Sequence, residues 1–316
     1  MLTGIFSYLV FFLCIVLLLG LVTLGLNLQW GFTGLFNAGV AGFYAIGAYT
    51  HAILTAAPQI NFLGNFGLPW IVGVLAAMAA TALAAWLIGL VTIRLRGDYL
   101  AIATFGIAVS IQLVTLNWEA LTGGSQGVTR IPKPLADVFD TPLAYNLWYF
   151  VLLIIVVGLV YTALERILRS PWGRVLRAIR EDETAAVALG KSARRFRLEA
   201  FVLGSTLMGL AGALYVSFIG FVSPFDFLPI VTFQIWAMLI VGGSGNNKGA
   251  LLGALVVWGI WAASGAVVAK LVPPSHAAQG AAIQVILIGL VLVLMLLFRP
   301  RGLVGEQAVV SRHASD

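Results

Sequence analysis

The stretch IFSYLVFFLCIVLLLGLVTLGL (residues 5–26) carries no charged side chain, and it decides the class of fold. A helix needs about 20 residues to cross the roughly 30 Å hydrocarbon core of a bilayer, so this stretch is long enough to cross it once. A helix that is apolar on every side belongs in a large core or in lipid rather than at a protein surface. The stretch therefore predicts a membrane-spanning α-helix.

Eight further stretches of the chain also lack Asp, Glu, Lys and Arg. They are residues 35–56, 69–92, 99–118, 146–164, 200–220, 228–242, 249–269 and 280–298. Most of them are long enough to span a bilayer. The sequence thus predicts an all-α, polytopic membrane protein with about nine transmembrane or partly re-entrant helices, which form a single transmembrane domain over residues 1–316.

The composition supports lipid as the main solvent of the chain. Hydrophobic residues make up 61% of its 316 residues and charged residues only 9%, whereas an ordinary soluble domain is about 25% charged. These values exclude a soluble enzyme, a secreted disulfide scaffold and a nucleic-acid-binding domain. The single cysteine, Cys14, and three widely spaced histidines predict neither an intramolecular disulfide nor a metal site.

Two of the apolar stretches depart from a simple crossing. Residues 35–56 are rich in Gly and Ala and follow the polar segment 27–34, which predicts a break or a re-entrant bend there. Such non-helical backbone persists at membrane depth only where protein or a cavity surrounds it. Residues 228–242 are short and follow Pro224 and Pro229, which predicts a half-helix or a strongly tilted helix.

The basic residues are distributed unequally between the two predicted sides of the membrane. With nine crossings, 15 of the 18 basic residues lie on one side, nine of them in the loop 165–197. That set also includes Arg94, Arg96, Lys248 and Arg312. Cytoplasmic loops carry the excess of Lys and Arg, so this side is predicted to be cytoplasmic, together with the C-terminus.

No apolar stretch contains an acidic or basic side chain, and His51 is the only histidine inside one. Proton pumps and proton-coupled carriers usually hold such groups in the membrane, and so would a membrane-embedded enzyme. We therefore predict no catalytic residue and expect transport to be passive or powered by a partner. Two glycine-rich motifs, at residues 123–127 and 242–248, lack the strand context or the GK[ST] ending of a nucleophile elbow or a phosphate loop.

The loop 165–197 contains GRVLRAIREDETAAVALG (173–190), which predicts one amphipathic helix that ends at Gly190. Its apolar face comprises Val175, Leu176, Ile179, Ala186 and Leu189. The segment could be a basic helix that rests on anionic headgroups, or a docking element for a cytosolic partner. Three adjacent acids at 181–183 favour docking, because an anionic leaflet would repel them.

At this loop the chain resembles the permease subunits of bacterial branched-chain amino acid ABC importers, the LivM type. The same segment is followed by FVLGSTLMGLAGALY (201–215) and GFVSP (220–224). Other similar segments are GFTGLFNAGVAGFYAIGAYT (31–50), RGDYLAIATFGI (96–107), LTGGSQGVTRIPKP (121–134) and FRPRGLVG (298–305). The resemblance implies ABC importer permease architecture in a multi-pass protein of the bacterial inner membrane.

The resemblance also implies which partner subunits the chain has and what each of them does in transport. A periplasmic binding protein would deliver the amino acid, a homologous LivH-type permease would complete the pathway, and two cytoplasmic ATPases would supply energy. ATP and Mg²⁺ would be bound by those ATPases, and this chain would bind no cofactor. The segment 173–190 would be the coupling helix. The residues that would carry the coupling are Arg174, Arg177, Arg180, Glu181, Asp182, Glu183 and Gly190.

The translocation path is predicted from polar side chains at membrane depth. These are Asn37, Thr104, Ser110, Gln112 and Gln234. An isolated polar side chain there can instead form a hydrogen bond between helices. The resemblance leaves a urea or short-chain amide permease as the alternative function, and an autonomous channel or uniporter is a further one.

Overall fold

A computed structural model describes residues 2–58, 63–95, 97–273 and 276–306. Twelve α-helices follow one another along these residues. They are α1 (Leu2–Thr33), α2 (Val40–Thr55), α3 (Trp70–Thr92), α4 (Asp98–Asn117), α5 (Glu119–Thr122), α6 (Pro142–Arg169), α7 (Pro171–Glu181), α8 (Glu183–Ala188), α9 (Ala193–Ile219), α10 (Pro229–Gly242), α11 (Asn247–Leu271) and α12 (Ala277–Phe298). Short 3₁₀ turns lie at Gly124–Gln126, Ala136–Val138 and Pro224–Phe227.

Within the described ranges, seven helices are long and apolar enough to cross a membrane: α1, α3, α4, α6, α9, α11 and α12. The helix α10 is apolar but shorter, and α2 has 16 residues that are mostly buried. The seven long helices and the two short ones correspond to the nine apolar stretches. The prediction of an all-α, polytopic membrane protein is confirmed.

The centre of the bundle is formed by α1 and α9, which are buried along most of their length. The helices α2 and α3 pack on α9, whereas α6 and α11 pack on α1. Small residues make the closest crossings possible, because a Cβ added at Gly47 of α2 would collide with the backbone of Gly209 on α9. Such approaches are typical of helices in lipid, where packing rather than water drives association.

The predicted break after the first apolar stretch is present. The helix α1 ends at Thr33, residues 34–39 are not helical, and α2 begins at Val40. Gly34 has a φ of +71°, a conformation that favours glycine. The predicted half-helix at 228–242 is also present, as the 14 residues of α10, with Pro229 in its first turn.

The prediction of one helix over 173–190 is wrong, because the segment forms two helices. Asp182 has extended backbone, with φ −149° and ψ 101°, and separates α7 from α8. Its carboxylate accepts a hydrogen bond from the Ala185 N–H at 3.0 Å, so it is the N-cap of α8. Leu189 is exposed, contrary to the predicted apolar face, since α8 starts in a new direction. Gly190, with φ +77°, follows the end of α8 as expected.

One end of the bundle carries α7, α8 and residues 299–306, and we call it the charged face. Residues 303 and 304 belong to it through the turn after α10, where the Leu303 and Val304 N–H groups donate to the Val241 and Gly242 carbonyls, both at 2.9 Å. These bonds satisfy two carbonyls at the end of a helix. Arg96 and Arg312, which the topology prediction places on this side, lie outside the described residues.

Candidate functional site

The non-helical segment 34–39 is held in place by a buried amide. Asn37 donates from Nδ2 to Gln29 Oε1 at 2.8 Å, and its Oδ1 accepts the Gly39 N–H at 2.7 Å. Asn37 and Gln29 are both fully buried. In lipid each unsatisfied backbone group costs several kcal/mol, so a broken helix requires partners of this kind. The amide of Asn37 therefore stabilises the break.

Neighbouring helices supply two more bonds to the same segment. Thr104 Oγ1 on α4 accepts the Ala38 N–H, and Trp236 Nε1 on α10 donates to the Asn37 carbonyl, both at 3.0 Å. Two of the predicted path residues, Asn37 and Thr104, thus meet at the break. Together with the bond to Gln29 of α1, these bonds connect the break to three helices.

The other predicted path residues lie elsewhere. Ser110 is exposed on α4, and its hydroxyl donates to the Gly106 carbonyl at 2.8 Å. Gln112 on α4 and Gln234 on α10 are half-buried. Their part in the path stays a prediction.

Sequence reasoning missed two polar residues of α1. Gln29 Nε2 donates to the Phe201 carbonyl at 2.8 Å and to Ser205 Oγ at 3.0 Å. Asn27 donates to Asn247 Oδ1 at 2.9 Å, and its own Oδ1 accepts the Gly245 N–H at 2.9 Å. The available signal was an Asn and a Gln at the end of a strongly apolar run, where lone polar side chains are costly.

The short helices α2 and α10 begin next to each other inside the bundle. The Ala41 N–H donates to Thr232 Oγ1 at 3.1 Å, which joins their first turns. Thr232 lies ten residues before the end of α10, about 15 Å from the charged face at 1.5 Å per residue. Helix N-termini carry partial positive charge, so this depth of the bundle favours an anionic group without any charged side chain.

A groove of about 680 Å³ lies beside the break. It is bounded by α1, α4, α10 and α12, and the hydroxyls of Thr232 and Ser244 are among its few polar groups. Its apolar lining includes Ile102, Phe105, Phe233, Ile240, Leu292 and Leu296. The Trp30, Phe36 and Trp236 rings pack on one another at one side, with centroids 4.4 to 5.4 Å apart. The groove suits an aliphatic group.

On the charged face, Arg180 of α7 connects three parts of the chain. Its guanidinium donates to the Gly31 carbonyl near the end of α1. It also donates to both carboxylate oxygens of Glu306, at 3.0 and 2.9 Å, and lies 3.7 Å from Glu181. Bidentate hydrogen bonds of this kind fix the relative orientation of the two side chains in addition to pairing their charges. Movement of α7 is thereby linked directly to the helix that ends at the break.

The three predicted acids of the coupling segment have different surroundings. Asp182 is the N-cap of α8, and Glu183 pairs with Arg197 of α9 at 3.0 Å. Glu181 is 73% exposed, and Arg174 is exposed as well. Arg177 donates to the Leu168 carbonyl at the end of α6, at 3.2 Å. The segment is thus tied to α1, α6 and α9 while Arg174 and Glu181 remain accessible.

The α8 side of the charged face also exposes apolar groups. Val187 is 53% and Leu189 79% exposed. Apolar side chains beside exposed charges are typical of protein–protein contact surfaces. The loop between α6 and α9 therefore presents a mixed surface of the kind that a partner protein can cover.

Comparison with known proteins identifies the family. Residues 8–296 match the family described as the branched-chain amino acid transport system / permease component. The chain belongs to this family. It is accordingly a transport permease and not an enzyme, and the resemblance seen in the sequence is confirmed.

Individual curated relatives agree with the family match. The chain is 33% identical over 301 residues to the high-affinity branched-chain amino acid transport system permease protein LivM of Escherichia coli K12, covering 89% of this chain and 66% of the relative. It is 28% identical over 328 residues to the probable branched-chain amino acid transport permease protein LivM of Methanocaldococcus jannaschii, covering 92% and 91%. It therefore spans somewhat less than two thirds of the length of the E. coli relative.

The chain is also similar to a second kind of permease. It is 26% identical over 254 residues to the permease protein LivH of E. coli K12, covering 75% of this chain and 78% of the relative. The chain is therefore similar to both the LivM and the LivH kinds of permease. No solved structure matches the chain.

Proposed function

We propose that this chain is the permease subunit of an ATP-driven importer that moves branched-chain or related amino acids into the cytoplasm. It would act in the bacterial inner membrane with a LivH-type permease, two cytoplasmic ATPases and a periplasmic binding protein. The family match and the names of the LivM relatives support this proposal. The structural observation that carries it is the apolar groove beside the broken helix.

The groove supplies the two kinds of environment that such a substrate needs. Its apolar walls fit an aliphatic side chain, which gains free energy when it leaves water. The first turns of α2 and α10, joined at Ala41 and Thr232, present helix N-termini toward a carboxylate. Ser110, Gln112 and Gln234 would extend the path along α4 and α10.

The charged face provides the contacts through which ATP-driven closure of the ATPases would move the membrane helices. ATPases that close on ATP would press on α7 and α8, and Arg180 would pass the displacement to Gly31 of α1. Gly31 lies three residues before Gly34, where the break begins. A rigid displacement there would rock the broken helix against the groove and produce alternating access. The charged face, with residues 299–306, would lie in the cytoplasm by the positive-inside rule.

Uptake assays test the substrate. Cells that express this chain with its neighbouring transporter genes are given labelled leucine and, separately, labelled urea. We expect leucine uptake that needs ATP and little urea uptake. Robust urea uptake without leucine uptake would replace the proposal by the short-amide alternative. Substrate flux through the chain alone in liposomes would replace it by an autonomous channel.

A groove variant tests the path within the same assay. Phe233→Ala removes an apolar group that is 58% exposed in the groove. Ile155→Ala is the matched control, since Ile155 is 56% exposed on α6, away from the groove. We expect the first variant to raise the KM for leucine severalfold and the second to leave it unchanged. Equal KM values for both variants would contradict the path.

A further inference from the structure

Two cavities join on the side of the bundle away from the proposed path. The first, of about 520 Å³, is an apolar groove between α6 and α11, which both pack on α1. It is lined by Leu17, Ile154, Val157, Leu251 and Leu252, among others. The second, of about 390 Å³, lies at the charged face. Tyr161 and Lys248 line both cavities, so the two cavities meet at these residues.

The second cavity is rich in cations. Its basic lining residues are Arg169, Arg174, Arg177 and Lys248, and its acidic ones are Glu165 and Glu306. Both carboxylates are already engaged. Glu165 accepts from Arg169 at 3.3 Å and from Asn247 at 3.0 Å, and Glu306 pairs with Arg180. The cavity therefore retains an excess of positive charge toward anything that enters it.

Two of these cations are available to a ligand. Arg174 and Lys248 are exposed, and in the part of the chain that the structure describes neither forms an ion pair or a side-chain hydrogen bond. Arg177 uses one donor on the Leu168 carbonyl, and a guanidinium has five N–H donors. Such a set is suited to a phosphate group, which accepts several hydrogen bonds at once.

The dimensions of the joined cavities correspond to a lipid. Ile154 and Arg169 both lie on α6, about 22 Å apart along its axis at 1.5 Å per residue. One leaflet of the hydrocarbon core is about 15 Å thick, half of the roughly 30 Å total. An acyl chain in the apolar groove thus places a headgroup among the cations. Gly158 lines the groove, and the space beside it is open, because a Cβ added there would meet no atom within 4 Å.

We propose that these joined cavities bind one anionic phospholipid from the leaflet that borders the charged face, with an acyl chain between α6 and α11 and the phosphate at Arg174, Arg177 and Lys248. Basic pockets between membrane helices are recognised sites for anionic headgroups. Charge complementarity selects the headgroup, and continuity with the apolar groove selects a lipid over a free anion. The bound lipid contacts α6 and α11 through its acyl chain and α7 and α11 through its phosphate, so it holds the three helices together.

The test is native mass spectrometry of the full chain, purified with whatever subunits co-purify. Phosphatidylglycerol and phosphatidylcholine are compared as ligands, and inorganic phosphate is added as a competitor. We expect retained phosphatidylglycerol and much less phosphatidylcholine, with no displacement by millimolar phosphate. Equal retention of the two lipids, or displacement of phosphatidylglycerol by phosphate, would overturn the proposal.

Two variants with matched controls locate the site. Lys248→Gln is expected to weaken phosphatidylglycerol binding about fivefold, the usual effect of one basic residue near an anionic lipid. Lys270→Gln, at the opposite end of α11, is expected to have no effect. Gly158→Leu fills the groove and should remove the bound lipid, whereas Gly289→Leu, in equally open space on α12, should not. Wild-type binding by either the Lys248 or the Gly158 variant would refute the site.

Discussion

Replacing Arg180 by Ala tests whether a displacement of α7 at the charged face is transmitted to the break after α1. Arg180 donates to the Gly31 carbonyl and binds both oxygens of Glu306, and its side chain is only 23% exposed. A hydrogen bond from a charged donor contributes about 1.5–3 kcal/mol, and a partly exposed ion pair adds up to about 1 kcal/mol. The variant therefore loses about 3 kcal/mol of contact between α7 and α1.

That loss predicts uncoupling rather than loss of assembly. A difference of about 3 kcal/mol shifts the equilibrium between engaged and disengaged α7 by about a hundredfold. We expect the ratio of leucine imported to ATP hydrolysed to fall more than tenfold in Arg180→Ala, while ATPases still co-purify. The assay is simultaneous measurement of uptake and phosphate release in proteoliposomes that hold the complete transporter.

The control is Arg195→Ala on α9. Arg195 is 79% exposed and pairs with Glu199 one turn away, so its removal should change stability by less than about 0.5 kcal/mol. We expect the wild-type ratio of transport to hydrolysis in this control. A wild-type ratio in Arg180→Ala, or an equal loss in both variants, would refute the role of Arg180 as the link between α7 and α1.

Three more predictions concern other contacts. Glu183→Lys breaks the pair with Arg197 and should abolish co-purification of the ATPases while the chain still reaches the membrane; co-purification at the wild-type level would contradict a docking role. Gly47→Leu should prevent folding because the α2–α9 crossing has no space for a side chain, whereas Gly106→Leu, in open space on α4, should give wild-type yield in membrane fractions. Asn37→Leu removes two bonds from the break and should lower the thermal midpoint in detergent by several degrees; an unchanged midpoint would mean that the break does not need this amide.

Much of the membrane architecture could be predicted from local sequence. The apolar stretches without charged residues predicted the long helices, and Pro229 indicated the short helix α10. The residue at which α1 ends and the break begins was harder to predict from local sequence. The helix α1 continues through Asn27 to Thr33 because the Asn27 amide has partners at Gly245 and Asn247, more than 200 residues away in the chain. No pattern near residue 27 contains that information.

The charged segment shows a second limit. Residues 181–183 read as one acidic patch in a continuous helix, yet Asp182 caps α8 and Glu183 pairs with Arg197 of α9. Asp182 competes with helix continuation because its short side chain can accept a backbone N–H, a property that also makes Asp a good N-cap. Whether Asp caps a helix or lies within one depends on the tertiary packing of α7 and α8, which a single sequence does not display.

The bonds from Leu303 and Val304 to the carbonyls at the end of α10 have a consequence for biogenesis. A ribosome makes α10 well before it makes these two residues, with all of α11 and α12 in between. The carbonyls of Val241 and Gly242 therefore cannot accept these two hydrogen bonds until residues 303 and 304 have been synthesised. A nascent chain halted before residue 303 would therefore lack both of the hydrogen bonds that complete the end of α10.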